Sequence, residues 1–313
     1  MKPTLIFAAL AVTFTVSPLG AQTTSSAWSL DARGDLSAVL DCLEREQRTI
    51  ISAHRGGPGP GLPENAIETM EALLHATPAI MEVDVAQSRD GVLFLLHDDR
   101  LDRTTTGTGE AAALAWQELR DLRLRDEAGW TTPYRIPTLE QALRWAKGRT
   151  VLQIDFKRET SYEDTIALIR KESMAGQVVL IAYSIEAARK LHDLAPEMLI
   201  SLSLDSPAAL DEAVAAGIPS DRIVAFTGTR LPRPDLHEAL DQADVEVIFG
   251  TLGRGDSIDS RIADFGMDER YAELGEAGVD IIATDRPREA ARALEDAGRA
   301  AENGTCGFIR GGR

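Results

Sequence analysis

The chain reads as an α/β protein, a (β/α)8 TIM barrel with a small insertion after its second strand, and three observations carry that expectation. Short aliphatic, β-branched-rich runs recur eight times, a stretch of helical periodicity follows each, and one spacing between runs is far longer than the others. The runs are Thr49–Ala53, Ala79–Val85, Val151–Phe156, Val178–Tyr183, Met198–Leu204, Arg222–Phe226, Val245–Phe249 and Val279–Thr284. Strands alternating with helices pair in parallel, and eight is the number that closes a barrel. An open doubly wound sheet shares the periodicity and stands as the alternative.

Taken in order, residues 1–21 carry Lys2, an apolar run from Leu5 to Val16 and small residues up to Ala21. That is the order of a cleavable secretory signal, too short to span a bilayer comfortably, so the chain is expected to be exported, periplasmic or secreted, with cleavage after Ala21. No cysteine follows the apolar run, so no lipid anchor is expected. Residues 22–48 form an N-terminal extension, 49–296 the barrel and 297–313 a C-terminal tail. In the first barrel helix Ile67, Met70, Leu73 and Leu74 share one face, and Glu64 and Asn65 after Pro63 mark its N-terminus. The long spacing, 72 residues against 20 to 34 elsewhere, places the insertion at about 89–137. It holds a strand-like run, Val92–Leu96, ending in His97-Asp98-Asp99, and Leu114, Trp116, Leu119 and Leu122 suffice for a small cap. Cys42 and Cys306 lie outside the barrel runs; in an exported protein they can form one disulfide, and two separate thiols are the other possibility.

Charge narrows the partners. With 33 basic and 50 acidic side chains the 313-residue chain has a net charge of -17, which repels nucleic acid and anionic membrane surfaces. An anionic small molecule would need a local source of positive charge.

A barrel places its site at the C-terminal ends of its strands. Strand one ends in His54-Arg55, strand two carries Glu82 and Asp84, strand three Asp155 and Lys157, and the inserted strand delivers His97. Residues two apart on a strand share a face, so Glu82 points with Asp84 and Asp155 with Lys157. Three converging carboxylates repel one another unless a cation lies between them. An all-oxygen set suits one hard divalent cation, Ca2+ or Mg2+. The competing interpretation is a structural ion-pair network with Arg55 and Lys157. His54 and His97 supply a pair titrating near neutral pH, whereas His75, His192 and His237 lie in helix-like stretches and carry no assignment.

Several of these stretches, in this order, resemble the glycerophosphodiester phosphodiesterase family. They are Ser52-Ala53-His54-Arg55-Gly56, Pro63-Glu64-Asn65, Glu82-Val83-Asp84, Arg89-Asp90-Gly91, His97-Asp98 and Leu101-Asp102-Arg103-Thr104-Thr105-Thr106-Gly107-Thr108-Gly109. Ile136-Pro137-Thr138-Leu139-Glu140, Asp155-Phe156-Lys157 and the run Gly278 to Asp285 also fit. The resemblance implies a TIM barrel that hydrolyses glycerophosphodiesters to an alcohol and glycerol 3-phosphate. It implies His54 and His97 as the acid/base pair and Glu82, Asp84 and Asp155 as metal ligands. On the substrate side it implies Arg55 as a phosphate contact, Lys157 facing the same site, and Glu64 and Asn65 in a turn whose acidic member orders the loop. Asp155 stands where the family usually has glutamate, Ala66 where a hydroxyl residue is common, and Ile248-Phe249-Gly250-Thr251 lacks a frequent tryptophan. An exported phospholipase on the same barrel and a non-catalytic metal-binding barrel are the other functional interpretations.

Overall fold

The computed structural model describes residues 27–32, 35–253 and 255–311, so the expected signal sequence lies outside the described residues. Thirteen strands are numbered in chain order: β1 Trp28–Leu30, β2 Ile50–Ala53, β3 Ile80–Gln87, β4 Leu93–Leu95, β5 Arg123–Arg125, β6 Thr131–Arg135, β7 Leu152–Phe156, β8 Val178–Ala182, β9 Leu199–Ser203, β10 Ile223–Phe226, β11 Val247–Gly250, β12 Ile281–Thr284 and β13 Phe308–Arg310. Eight of them pair in parallel in the order β2, β12, β11, β10, β9, β8, β7, β3, and β2 pairs again with β3. That second pairing closes the ring, which settles the barrel over the open sheet.

Strand alternation divides the aliphatic residues into two layers. Ile51, Met81, Val83, Leu152, Ile154, Leu180, Ile200 and Ile282 face outward, in one cluster with helix residues such as Met70 and Leu73. Ile50, Ile80, Val151, Val179, Leu199, Val224, Ile248 and Ile281 belong to a second cluster at the N-terminal end of the barrel. The outer helices begin on hydroxyl caps at Thr138, Ser161, Ser184, Ser206 and Ser257, each accepting an amide hydrogen bond from the first turn. The first barrel helix, Ile67–Leu74, instead starts after Ala66, so Glu64 and Asn65 lie before it rather than at its cap.

The segments expected as an extension and a tail form a floor. Leu36, Val39, Leu40 and Leu43 of the helix Leu36–Arg45 share the second cluster with the eight inward residues. β1 and β13 pair antiparallel beside this helix, and Cys42 is disulfide-bonded to Cys306. Each fully buried leucine contributes about 1.5–3 kcal/mol. Strands of three residues are too short to show a period, which is why the sequence did not reveal them.

Within the insertion, β4 runs antiparallel to β3, with Val85 opposite Leu95, and β5 and β6 form a separate hairpin. Phe94, Leu96, Leu101, Leu119, Leu124 and Ile136 bury together, with Leu114, Trp116 and Leu122 against them, giving the expected small cap.

Candidate active site

The mouth begins where β2 ends. Arg55, Gly56 and Gly57 all take positive φ, 53°, 78° and 76°. A Cβ on Gly56 would lie 2.6 Å from Met70 Cγ, so the tight pass of the following helix excludes one. Holding Arg55 in the left-handed region costs about 1–3 kcal/mol, and it aims the Arg55 amide inward to donate to Glu82 Oε2 at 2.7 Å.

Asn65, also left-handed at φ 57°, completes the edge of β3. β2 pairs with β3 only through Ser52 and Ala53, so the Asp84 amide lies beyond its reach. The Asn65 Oδ1 accepts from that amide at 2.9 Å, and its Nδ2 donates to Asp84 Oδ2 at 2.7 Å. Both polar ends of this buried side chain are therefore used on Asp84, one on its backbone amide and one on its carboxylate.

Glu82, Asp84 and Asp155 are buried, each offering an oxygen within 4.8 Å of the others'. Lys157 Nζ bridges Asp84 Oδ1 at 2.7 Å and Asp155 Oδ2 at 2.5 Å. The ion-pair interpretation thus describes two of the three acids and leaves the cluster incompletely compensated. Burial, then the charge of Asp84, pushes Glu82 up to about 8. Burial also raises Asp84, but Lys157, His97 and the Asn65 hydrogen bond outweigh it and hold that carboxyl below its usual range. Asp155 Oδ1 is buried with no hydrogen-bond partner. An unsatisfied oxygen beside a destabilised carboxylate is relieved by a bound cation, and an all-oxygen set fits a hard divalent one.

Both histidines are oriented by carboxylates. His54 Nδ1 lies 2.6 Å from Asp285 Oδ1, and Asp285 Oδ2 accepts the Gly253 amide at 2.9 Å. Burial lowers the His54 pKa, but the Asp285 hydrogen bond and the charges of Glu82 and Asp285 prevail and raise it. His97 Nδ1 lies 2.8 Å from Asp98 Oδ1. Arg103 grips Asp98 with Nε at 2.6 Å and Nη2 at 2.8 Å, holding its carboxyl far below the usual range. With Nδ1 engaged on both rings, Nε2 is the nitrogen left for a reacting group.

A chain of ion pairs joins the two halves of the mouth. Arg103 also forks onto Glu64, at 2.7 and 2.9 Å, and Arg55 Nη1 meets the same carboxylate at 3.0 and 3.1 Å. Glu64 therefore holds two arginines of the mouth in place. His54, Arg55, Glu64, His97, Arg103 and Asp285 line one cleft of about 1180 Å3. Arg55 links it to the triad, since its side chain lines the cleft and its amide holds Glu82. A groove of about 1300 Å3 beside the first barrel helix is larger but holds neither His54, His97 nor the triad.

Sequence reasoning assigned no role to Asp285, Asp98 or Arg103. Asp285 follows β12 directly, so the rule that strand ends face the mouth would have found it. Asp98 was visible beside His97, and Arg103 stood in the stretch from Leu101 to Gly109 that carries the resemblance, without a role of its own.

The sequence profile of the "Glycerophosphoryl diester phosphodiesterase family" matches residues 54–250. The chain belongs to this family. It is accordingly an enzyme, a phosphoric diester hydrolase, and the resemblance drawn from its motifs holds. A crystal structure of a glycerophosphoryl diester phosphodiesterase from Parabacteroides distasonis is 32% identical with TM-score 0.79, covering 91% of this chain and 99% of that one. A glycerophosphodiester phosphodiesterase of Bacillus subtilis is 28% identical over 64% of this chain and 73% of its own length. An Oleispira antarctica phosphodiesterase solved with the product sn-glycerol-3-phosphate shares the fold at 19% identity and TM-score 0.63, covering 81% of this chain and 99% of that one.

Proposed function

We propose that this family member hydrolyses glycerophosphodiesters to an alcohol and glycerol 3-phosphate, using one divalent cation, Ca2+ or Mg2+, and the histidines 54 and 97 as acid and base. The observation that carries the reading is the pair of aspartate-backed histidines opening on one cleft beside an under-satisfied oxygen triad. Glu82, Asp84 and Asp155 would hold the ion, which when bound supplies Lewis-acid stabilisation of charge on the phosphate oxygens. Arg55, steadied by Glu64, meets a nonbridging oxygen, and Lys157 adds to the positive field. One histidine takes the proton from the attacking oxygen and the other returns one to the leaving alkoxide. The product of the Oleispira enzyme supports glycerol 3-phosphate as the product here.

The signal-like N-terminus and the Cys42–Cys306 disulfide support a periplasmic or secreted location. Among the described residues no helix is long and apolar enough to cross a membrane. The deciding assay is glycerol 3-phosphate release from glycerophosphocholine, before and after chelation. Activity should vanish with the metal and return with Ca2+ or Mg2+. Undiminished turnover by metal-free protein would reject the cation, and faster hydrolysis of intact phospholipid would favour the phospholipase reading.

A further inference from the structure

The inserted hairpin brings two charges into the catalytic cleft that the cleft itself leaves unanswered. His54, Arg55, Glu64, His97, Asp98, Arg103 and Asp285 are paired as described. Arg286 pairs with Asp268 at 2.8 Å, and Asp259 accepts hydrogen bonds from Tyr271 and Thr284. The remaining charged residues of the cleft are Arg125, Asp126 and Glu127, consecutive at the hairpin tip.

Asp126 anchors that tip. It accepts the Gly61 amide at 3.0 Å, from the loop after β2, and the Trp130 amide at 2.9 Å, and the Gly129 amide closes the turn on Asp126 O at 2.9 Å. The hairpin is thereby tied across the mouth. Among the described residues the side chains of Arg125 and Glu127 make no hydrogen bond or ion pair, and Arg125 Nε is buried without an acceptor. Glu127 lies on the solvent-facing rim of that cleft. Partial burial and then the charges of Asp285 and Glu64 raise its pKa against the pull of Arg55 and Arg103. A carboxylate so placed is stabilised by an arriving cation.

We propose that Arg125 and Glu127 form the subsite for the alcohol side of the diester and select substrates whose head group carries an ammonium, of the choline or ethanolamine kind. The inference rests on the phosphodiesterase reading above. Such a diester is a zwitterion: its phosphate oxygen meets the vacant Arg125 guanidinium, and its ammonium, four bonds from phosphorus, meets Glu127. A neutral glycerol head group satisfies only the first of these.

The test compares kcat/KM for glycerophosphocholine and glycerophosphoglycerol, with saturating divalent cation, in wild type, Glu127→Gln and Arg125→Gln. Wild type should prefer the choline diester, and Glu127→Gln should lower the ratio of the two about tenfold, mainly through KM. Arg125→Gln should lower both values and leave the ratio within twofold. An unchanged ratio in Glu127→Gln overturns the selection, and unchanged values in Arg125→Gln overturn the phosphate contact. Wild type that cleaves both diesters without preference rejects the subsite alone. Wild type that cleaves neither rejects the phosphodiesterase reading as well. Both substituted side chains lie outside the packed clusters, so melting temperatures should stay near wild type, and thermal unfolding checks this.

Discussion

The two ends of the barrel use the same inward positions to opposite purposes. At the floor Ile50, Ile80, Val151 and Ile281 share one apolar cluster with Leu36, Val39, Leu40 and Leu43. Two residues along, Ser52 Oγ donates to Gln153 Oε1 at 2.7 Å, and at the mouth the same faces carry His54, Asp84, Asp155 and Asp285. The apolar cluster at the floor therefore stabilises the fold, whereas at the mouth those positions hold the clustered acids of the triad beside a left-handed arginine, which the fold must hold against their preference. Stability and chemistry can then be changed separately.

Glu82→Gln tests that separation most severely. Activity should fall to background while the fold survives. In metal-free protein Glu82 has a folded pKa of about 8, above its value in an unfolded chain, so its penalty grows as pH rises from about 4.5 through 8. The variant should therefore gain stability over wild type across that window, read from denaturant midpoints at pH 5 and 8.5. A variant less stable at pH 8.5 would mean that the mouth supports the fold after all.

His54→Ala and His97→Ala come next, each lowering kcat by roughly 10²- to 10⁴-fold with little change in melting temperature. Near-normal turnover in either would remove that ring from the chemistry. Leu40→Ala reverses the pattern. It should cost about 2–5 kcal/mol of stability, measured by urea unfolding, with kcat unchanged below the transition. Asp285→Asn is expected to have the smallest effect, about tenfold in kcat/KM. The kinetic limb reporting His54 should move toward lower pH, because the carboxylate that raises its pKa is gone. A limb that stays in place would show that Asp285 does not tune His54.

The sequence displayed what depends on short range. Period-two spacing put Glu82 with Asp84, and aliphatic runs located all eight barrel strands to within a few residues. It was silent on contacts that exist only once the ring closes. His54 and Asp285 are 231 positions apart and meet because β12 pairs with β2. Arg103 sits on an irregular loop, where no period says which way a side chain points. The disulfide, spanning 264 positions, was one of two possibilities until the floor brought its halves to a Cα separation of 5.5 Å.

That disulfide makes the protein, in effect, a closed loop of chain from Cys42 to Cys306. A protease that cuts once among the exposed residues of the mouth, such as 127–130, releases nothing, because both fragments remain covalently joined at the floor. The nicked molecule migrates as a single species until it is reduced. Damage concentrated where the chemistry is done therefore need not separate the halves of the barrel.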